Sequence, residues 1–203
     1  MALRTLVKVG EINNLSDARY CAGMGVDFAG FLLDADSKVS PELFIAITEW
    51  IKGVKIVGEF ETADSERIEA LHERFRFDFV QTSNKELLNT LNVSCAKILK
   101  LTINESIEEI ESLLPEYDTI VDYFLIESNN TEVISDAEAR ILDRICKRYP
   151  ILLGYGLNAS DIEKVIDYTN PIGISLKGGD EIRPGYKNFD DLADILEAIE
   201  LDI

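Results

Sequence analysis

Histidine and cysteine are scarce in this chain of 203 residues, and that scarcity excludes much chemistry. The one histidine, His72, rules out a two-histidine metal site and leaves a Ser-His-Asp arrangement a single candidate base. It sits in the helical run Ile68-Glu69-Ala70-Leu71-His72-Glu73-Arg74 and reads as a helix-surface residue. The three cysteines, Cys21, Cys95 and Cys146, are far apart and odd in number, with no C-x-x-C pair. A structural zinc site and a disulfide framework are therefore not expected, and reduced intracellular thiols are. No apolar run approaches the roughly 18 residues that cross a bilayer. The opening Met1–Gly10 has no apolar leader core. A cytoplasmic location with no membrane partner follows as the expectation. Positive charge is also short: 20 Lys+Arg against 38 Asp+Glu, a net charge of −18. Long-range attraction to nucleic acid is excluded on that ground. The acidity reads as solubility, or as an acidic site for a cationic ligand.

What is present is alternation. Apolar runs of strand length recur at Leu3–Val9, Phe28–Leu33, Val54–Phe60, Phe79–Gln81, Ala96–Leu101, Ile120–Ile126, Ile151–Gly154 and Ile172–Leu176. Most are apolar at successive positions, as strands buried on both faces are. Helical stripes lie between them: Leu43, Ile47, Trp50 and Ile51; Ile107, Ile110, Leu113 and Leu114, stopped by Pro115; Ile141, Leu142 and Ile145; Leu192, Ile195, Leu196 and Ile199. Ser40-Pro41-Glu42 supplies a capping hydroxyl followed by proline at the first helical position. Eight such units with no linker predict a single-domain (β/α)8 TIM barrel over residues 1–203, near the minimal length for that fold; the competing architecture, an open doubly wound sheet, usually has five or six strands and would leave two units over.

A barrel of this kind carries its site on the loops after the strands. Those loops hold Gly10-Glu11, Asp34 and Asp36, Glu59-Phe60-Glu61, Gln81-Thr82-Ser83-Asn84, Lys100 near the end of its strand, Glu127-Ser128, Gly154-Tyr155-Gly156 and Lys177-Gly178-Gly179. Gly154, Gly156, Lys177, Gly178 and Gly179 form a candidate phosphate site, with Arg183 and Lys187 nearby. Glycines let backbone N–H groups approach an oxyanion closely. Glu11, Glu59, Glu61 and Glu127 are candidates to converge over the mouth as acid and base. Alternation along a strand argues against all of them facing inward.

Several stretches resemble the phosphoribosylanthranilate isomerase family. Lys8-Val9-Gly10-Glu11-Ile12-Asn13-Asn14-Leu15-Ser16-Asp17-Ala18 is similar to its K-I-C-G-I-T-N-x-x-D-A opening. Gly25–Phe31 is similar to G-A-D-x-x-G-F, and Ser37–Glu42 to a shortened K-S-x-R-x-V-S-P-E. Val57-Gly58-Glu59-Phe60, Asp78-Phe79-Val80-Gln81, Gly156-Leu157-Asn158 and Gly179–Gly185 follow in the family's order. The resemblance implies a (β/α)8 barrel and an Amadori aldose–ketose rearrangement in tryptophan biosynthesis. It further implies a phosphorylated small-molecule substrate, no cofactor, no metal, and a monomer or homodimer. In that family a cysteine is the base and an aspartate the acid. Here Gly10 stands at the cysteine position and Glu127 at that of the aspartate. The catalytic candidates are therefore Glu127 as acid and Glu11 as substitute base. The family's strand 2 arginine has no counterpart. Asn129–Val133 replaces its glycine-rich loop, Tyr155 its first loop glycine, and Ser175 its strand 8 aspartate. The alternative expectation is a diverged barrel without this activity, binding another phosphorylated or cationic molecule.

Overall fold

The computed structural model describes residues 2–104, 106–129, 133–177, 181–183, 186–187 and 190–201. Eight parallel strands close into a barrel in sequence order. They are β1 Leu6–Gly10, β2 Phe28–Leu32, β3 Lys55–Phe60, β4 Phe79–Thr82, β5 Ala96–Ile103, β6 Tyr123–Ser128, β7 Ile151–Leu153 and β8 Gly173–Lys177. Helices follow them: α1 Leu15–Gly23, α2 Pro41–Thr48, α3 Ser65–Phe75, α4 Lys85–Thr90, α5 Ile107–Tyr117, α6 Asp136–Cys146, α7 Ile162–Thr169 and α8 Asp190–Ala198. The predicted barrel is the observed fold. A short antiparallel pair, β9 Glu181–Arg183 and β10 Tyr186–Lys187, lies between β8 and α8 and was not expected.

Local chemistry starts α2 where the sequence placed its cap. The Ser40 hydroxyl accepts from Leu43 N–H at 3.2 Å, with Pro41 opening α2. Ser135 and Glu138 form a reciprocal capping box on α6. Three expectations are corrected. Pro115 does not stop α5, which continues to Tyr117. Pro115 forgoes the bond that an N–H there would give to the Glu111 carbonyl, and the helix still runs two residues past it. Trp50 lies beyond α2 and is exposed, under the Arg19 guanidinium, and Phe44 takes its place in the buried stripe. His72 is buried on the inner face of α3, one turn from Ile68, with Nε2 3.3 Å from the Ser94 hydroxyl.

A repeated dipeptide closes the bottom of the barrel. Asp27-Phe28, Asp78-Phe79 and Asp122-Tyr123 each begin an even-numbered strand. The three carboxylates accept from the backbone N–H of Val7, Ile56 and Lys97, each at 2.8 Å, and tie each even strand to the odd strand before it. The three rings that follow meet inside the barrel, with centroids 5.2 to 5.8 Å apart. Val57, Ile98, Leu125 and Leu152 pack in the same cluster. The lower barrel is thus dry and solid, and the polar inward positions stand at the upper end.

Two outcomes test this packing. Phe28→Ala empties part of the aromatic plug, and urea unfolding is expected to show a loss of about 3–5 kcal/mol. Burial, with the Arg76 charge adding, holds the His72 imidazole below its ordinary value. The unfolded chain therefore takes up a proton near pH 6.5 that the folded chain resists. This contribution to stability is complete above about pH 6.5 and is lost as pH falls below it. His72→Gln is expected to flatten that part of the profile of unfolding midpoint against pH.

Candidate active site

The strand C-termini surround a cavity of about 590 Å³. Side chains two apart on a strand share a face. Lys8 and Gly10 of β1, Glu59 of β3 with Glu61 just past its end, Lys100 and Thr102 of β5, and Ser175 and Lys177 of β8 accordingly all line it. Among the described residues its walls carry six carboxylates, Glu11, Asp34, Asp36, Glu59, Glu61 and Glu127, and three lysines. All four glutamates expected at the mouth are there. Glu59 and Glu61 share parity, and Glu11 lies past the end of its strand with φ +57, so alternation does not divide them.

Each lysine neutralises neighbouring carboxylates. Lys8 is ion-paired with Glu59 in the barrel interior, where both side chains are almost fully buried. Lys100 is paired with Glu61 and lies 4.0 Å from Glu127. Lys177 bridges Glu11 at 2.9 Å and Glu127 at 3.5 Å, so the two predicted catalytic glutamates share one ammonium. Burial disfavours the Lys177 charge, but the pairs with Glu11 and Glu127 outweigh it and hold its pKa above the ordinary lysine value. A buried pair such as Lys8–Glu59 is a demanding arrangement, and removing one partner typically costs about 3–5 kcal/mol.

Glycines make room for this pair. A β-carbon built on Gly10 would stand 2.8 Å from Glu59 Oε1 and 3.0 Å from Lys8 Nζ. One on Gly30 would stand 2.6 Å from the Glu59 carboxyl carbon. The Glu59 carboxylate thus fills space that side chains at positions 10 and 30 would occupy. Its Oε2 also accepts from Glu11 N–H at 3.0 Å. Asp34 has a different task. It accepts from the backbone N–H groups of Glu61, Thr62 and Ala63 at 2.9, 3.2 and 2.9 Å, and so holds the loop that carries Glu61.

A second cavity, of about 290 Å³, opens between the ends of β7 and β8 and the first turn of α8. Gly154, Gly156 and Lys177 line it together with Asp191 and Leu192. Gly156 has φ +66, a conformation that favours glycine. Gly154 makes room for Glu127: a β-carbon there would press on Glu127 Cγ at 3.0 Å. Gly178 and Gly179, the rest of the expected phosphate site, lie outside the described residues.

The family model described as N-(5'-phosphoribosyl)anthranilate (PRA) isomerase matches residues 7–198. The chain belongs to the phosphoribosylanthranilate isomerase family. It is 27% identical to the N-(5'-phosphoribosyl)anthranilate isomerase of Maridesulfovibrio salexigens, across 96% of this chain and 98% of that protein. With the Petrotoga mobilis protein of the same name it shares 28% identity, across 90% of each. The phosphoribosyl anthranilate isomerase structure from Thermotoga maritima superposes with a TM-score of 0.78 at 22% identity, covering 96% of this chain and 98% of that one. Another structure of such an isomerase, solved with reduced 1-(o-carboxyphenylamino)-1-deoxyribulose 5-phosphate, gives 0.77 at 21% identity and the same coverage.

Of the chain's departures from the pattern of the phosphoribosylanthranilate isomerase family, the one at Gly10 has a visible structural counterpart. Gly10 at the cysteine position lies directly under the Glu59 carboxylate. No cysteine lines the mouth. Cys21 is buried in α1, and burial, helped by Asp143, pushes the Cys146 thiol up to about 12. Among the described residues no cluster of histidine, cysteine, aspartate and glutamate can hold a metal ion. Reasoning from sequence alone missed Lys8 and the buried position of Glu59. The signal for Lys8 was parity, since it precedes Gly10 by two.

The glycine gap is directly testable. Gly30→Ala is expected to displace the Glu59 carboxylate and cost about 1–3 kcal/mol in urea unfolding. Gly23→Ala, where a β-carbon meets nothing within 4 Å, is expected to leave stability unchanged or slightly raised.

Proposed function

We propose that this chain catalyses the Amadori rearrangement of N-(5'-phosphoribosyl)anthranilate, an intramolecular aldose–ketose isomerisation in tryptophan biosynthesis, in the cytoplasm. The observation that carries the reading is Glu127. It is the last residue but one of β6, at the position that the resemblance gives to the family's acid, lines the mouth, and is only 12% exposed in its side chain. Its reach exceeds that of an aspartate by one methylene, and Gly154 leaves room for that length.

The β7–β8 corner suits the substrate's phosphate. Gly154 and Gly156 line it without side chains, and Lys177 supplies the cation. An anion beside Lys177 draws that ammonium away from Glu127 and adds negative charge nearby. Glu127 then gives its proton to the ring oxygen as the C1′–O bond breaks, and the nitrogen lone pair completes a C1′=N bond. A second carboxylate takes the C2′ proton, and the C–H electron pair becomes a C1′=C2′ bond while the imine pair returns to nitrogen. Return of a proton to C1′, with loss of the O2′ proton to Glu127, gives the ketose and restores both groups. Glu11, the base expected from sequence, shares Lys177 with Glu127 and stands half-exposed at the rim.

The test uses purified protein with enzymatically generated phosphoribosylanthranilate, followed by its fluorescence. Turnover is expected, and Glu127→Gln is expected to lower kcat by about 10²–10⁴-fold. No fluorescence change above background at saturating protein contradicts the reading.

A further inference from the structure

Two carboxylates of the mouth are more than nine-tenths buried, Asp34 and Glu59. Asp34 is committed to three backbone N–H groups of the loop after β3. Glu59 is held by Lys8 and by Glu11 N–H, and it lines the main cavity over the bare α-carbons of Gly10 and Gly30. A side chain on residue 10 would begin only 2.8 Å from an oxygen of Glu59 and could not stand beside it unmoved. Beside it, Gln81 of β4 pairs in register with Glu59, is 5% exposed, lines the same cavity, and has a side-chain oxygen with no hydrogen-bond partner. A buried acceptor of this kind fits a hydroxyl of a bound polyol chain.

We propose that Glu59 is the base that removes the C2′ proton, acting from the space left by the missing side chain of Gly10. The proposal rests on the isomerase reading above and deepens it. The Lys8 ammonium is ion-paired with Glu59 and fixes the place of its carboxylate. In the step, the C2′–H bond breaks and an O–H bond forms on Glu59. The electron pair enters the C1′–C2′ bond, and the same proton is later returned to C1′. Glu11 positions Glu59 through its backbone N–H and holds Lys177 through its carboxylate.

The experiment compares the wild type with Glu59→Gln, Glu59→Asp, Glu11→Gln, Glu59→Val and Glu59→Val/Gly10→Cys, each checked for folding by circular dichroism. Glu59→Gln is expected to lose about 10²–10⁴-fold in kcat. Glu59→Asp keeps the charge opposite Lys8 but withdraws the carboxylate. It is expected to lose on the order of 100-fold in kcat with little change in KM, and it decides the matter if Glu59→Gln does not fold. Glu11→Gln is expected to lose less than about tenfold, since its backbone N–H remains. In the double variant a thiol enters the vacated space beside Lys8, which favours the thiolate, and activity lost in Glu59→Val is expected to return in part. A C2′-deuterated substrate is expected to slow the wild type. If the wild type turns over the substrate while both Glu59→Gln and Glu59→Asp stay within threefold of it, the role of Glu59 falls and the isomerase reading stands. A wild type without turnover removes both.

Discussion

Burying charge inside a barrel requires each charge to be answered by another, and the upper end of this barrel is organised around that requirement. The Lys8–Glu59 pair is its deepest case, enclosed by strands on every side. The pair has no room beside ordinary side chains. It exists because β1 and β2 present glycine at the two facing positions, 10 and 30. The rest of the mouth repeats the rule less deeply: Lys100 answers Glu61 and Glu127, and Lys177 answers Glu127 and Glu11. A ring of six carboxylates is tolerable because three lysines are threaded through it.

That polar end is held up by an apolar one. The aromatic triad of Phe28, Phe79 and Tyr123, with the aspartates that tie each even strand to its odd neighbour, keeps water out of the lower barrel. In such a floor the ion pairs above gain strength from low dielectric, and strand positions are fixed well enough for proton transfer over hydrogen-bond distances. The resemblance implies a cysteine and an aspartate at the two positions that Gly10 and Glu127 hold here, and the Glu59 carboxylate reaches in over Gly10 from two strands away.

Much of this was legible in the residue order. Continuous apolar runs marked buried parallel strands, and stripes and caps marked helices, because both signals are local. Trp50 misled because α2 ends at Thr48, before the stripe reaches it, and Pro115 because a helix can run on for a few residues past a proline. His72 misled because a polar residue on a charged helix looks exposed until its tertiary neighbours are known. The mouth glutamates were visible as strand ends, but their convergence was not. Glu11 turns back only through a left-handed backbone that its sequence does not announce. The space over Gly10 was hidden more deeply, since it depends on how β1, β2 and β3 stand in register. The aspartate–aromatic repeat, by contrast, was readable at residues 27, 78 and 122.

The central claim is that a carboxylate now stands where the family's thiol stood, above an anion corner that still fits a sugar phosphate. A crystal structure of this protein with reduced 1-(o-carboxyphenylamino)-1-deoxyribulose 5-phosphate tests it most directly. The account predicts phosphate density beside Gly156 and Lys177, with the C2′ carbon within reach of a Glu59 oxygen and Glu127 toward the former ring oxygen. Phosphate bound elsewhere, or a Glu59 side chain turned away from Gly10 and from the ligand, contradicts it.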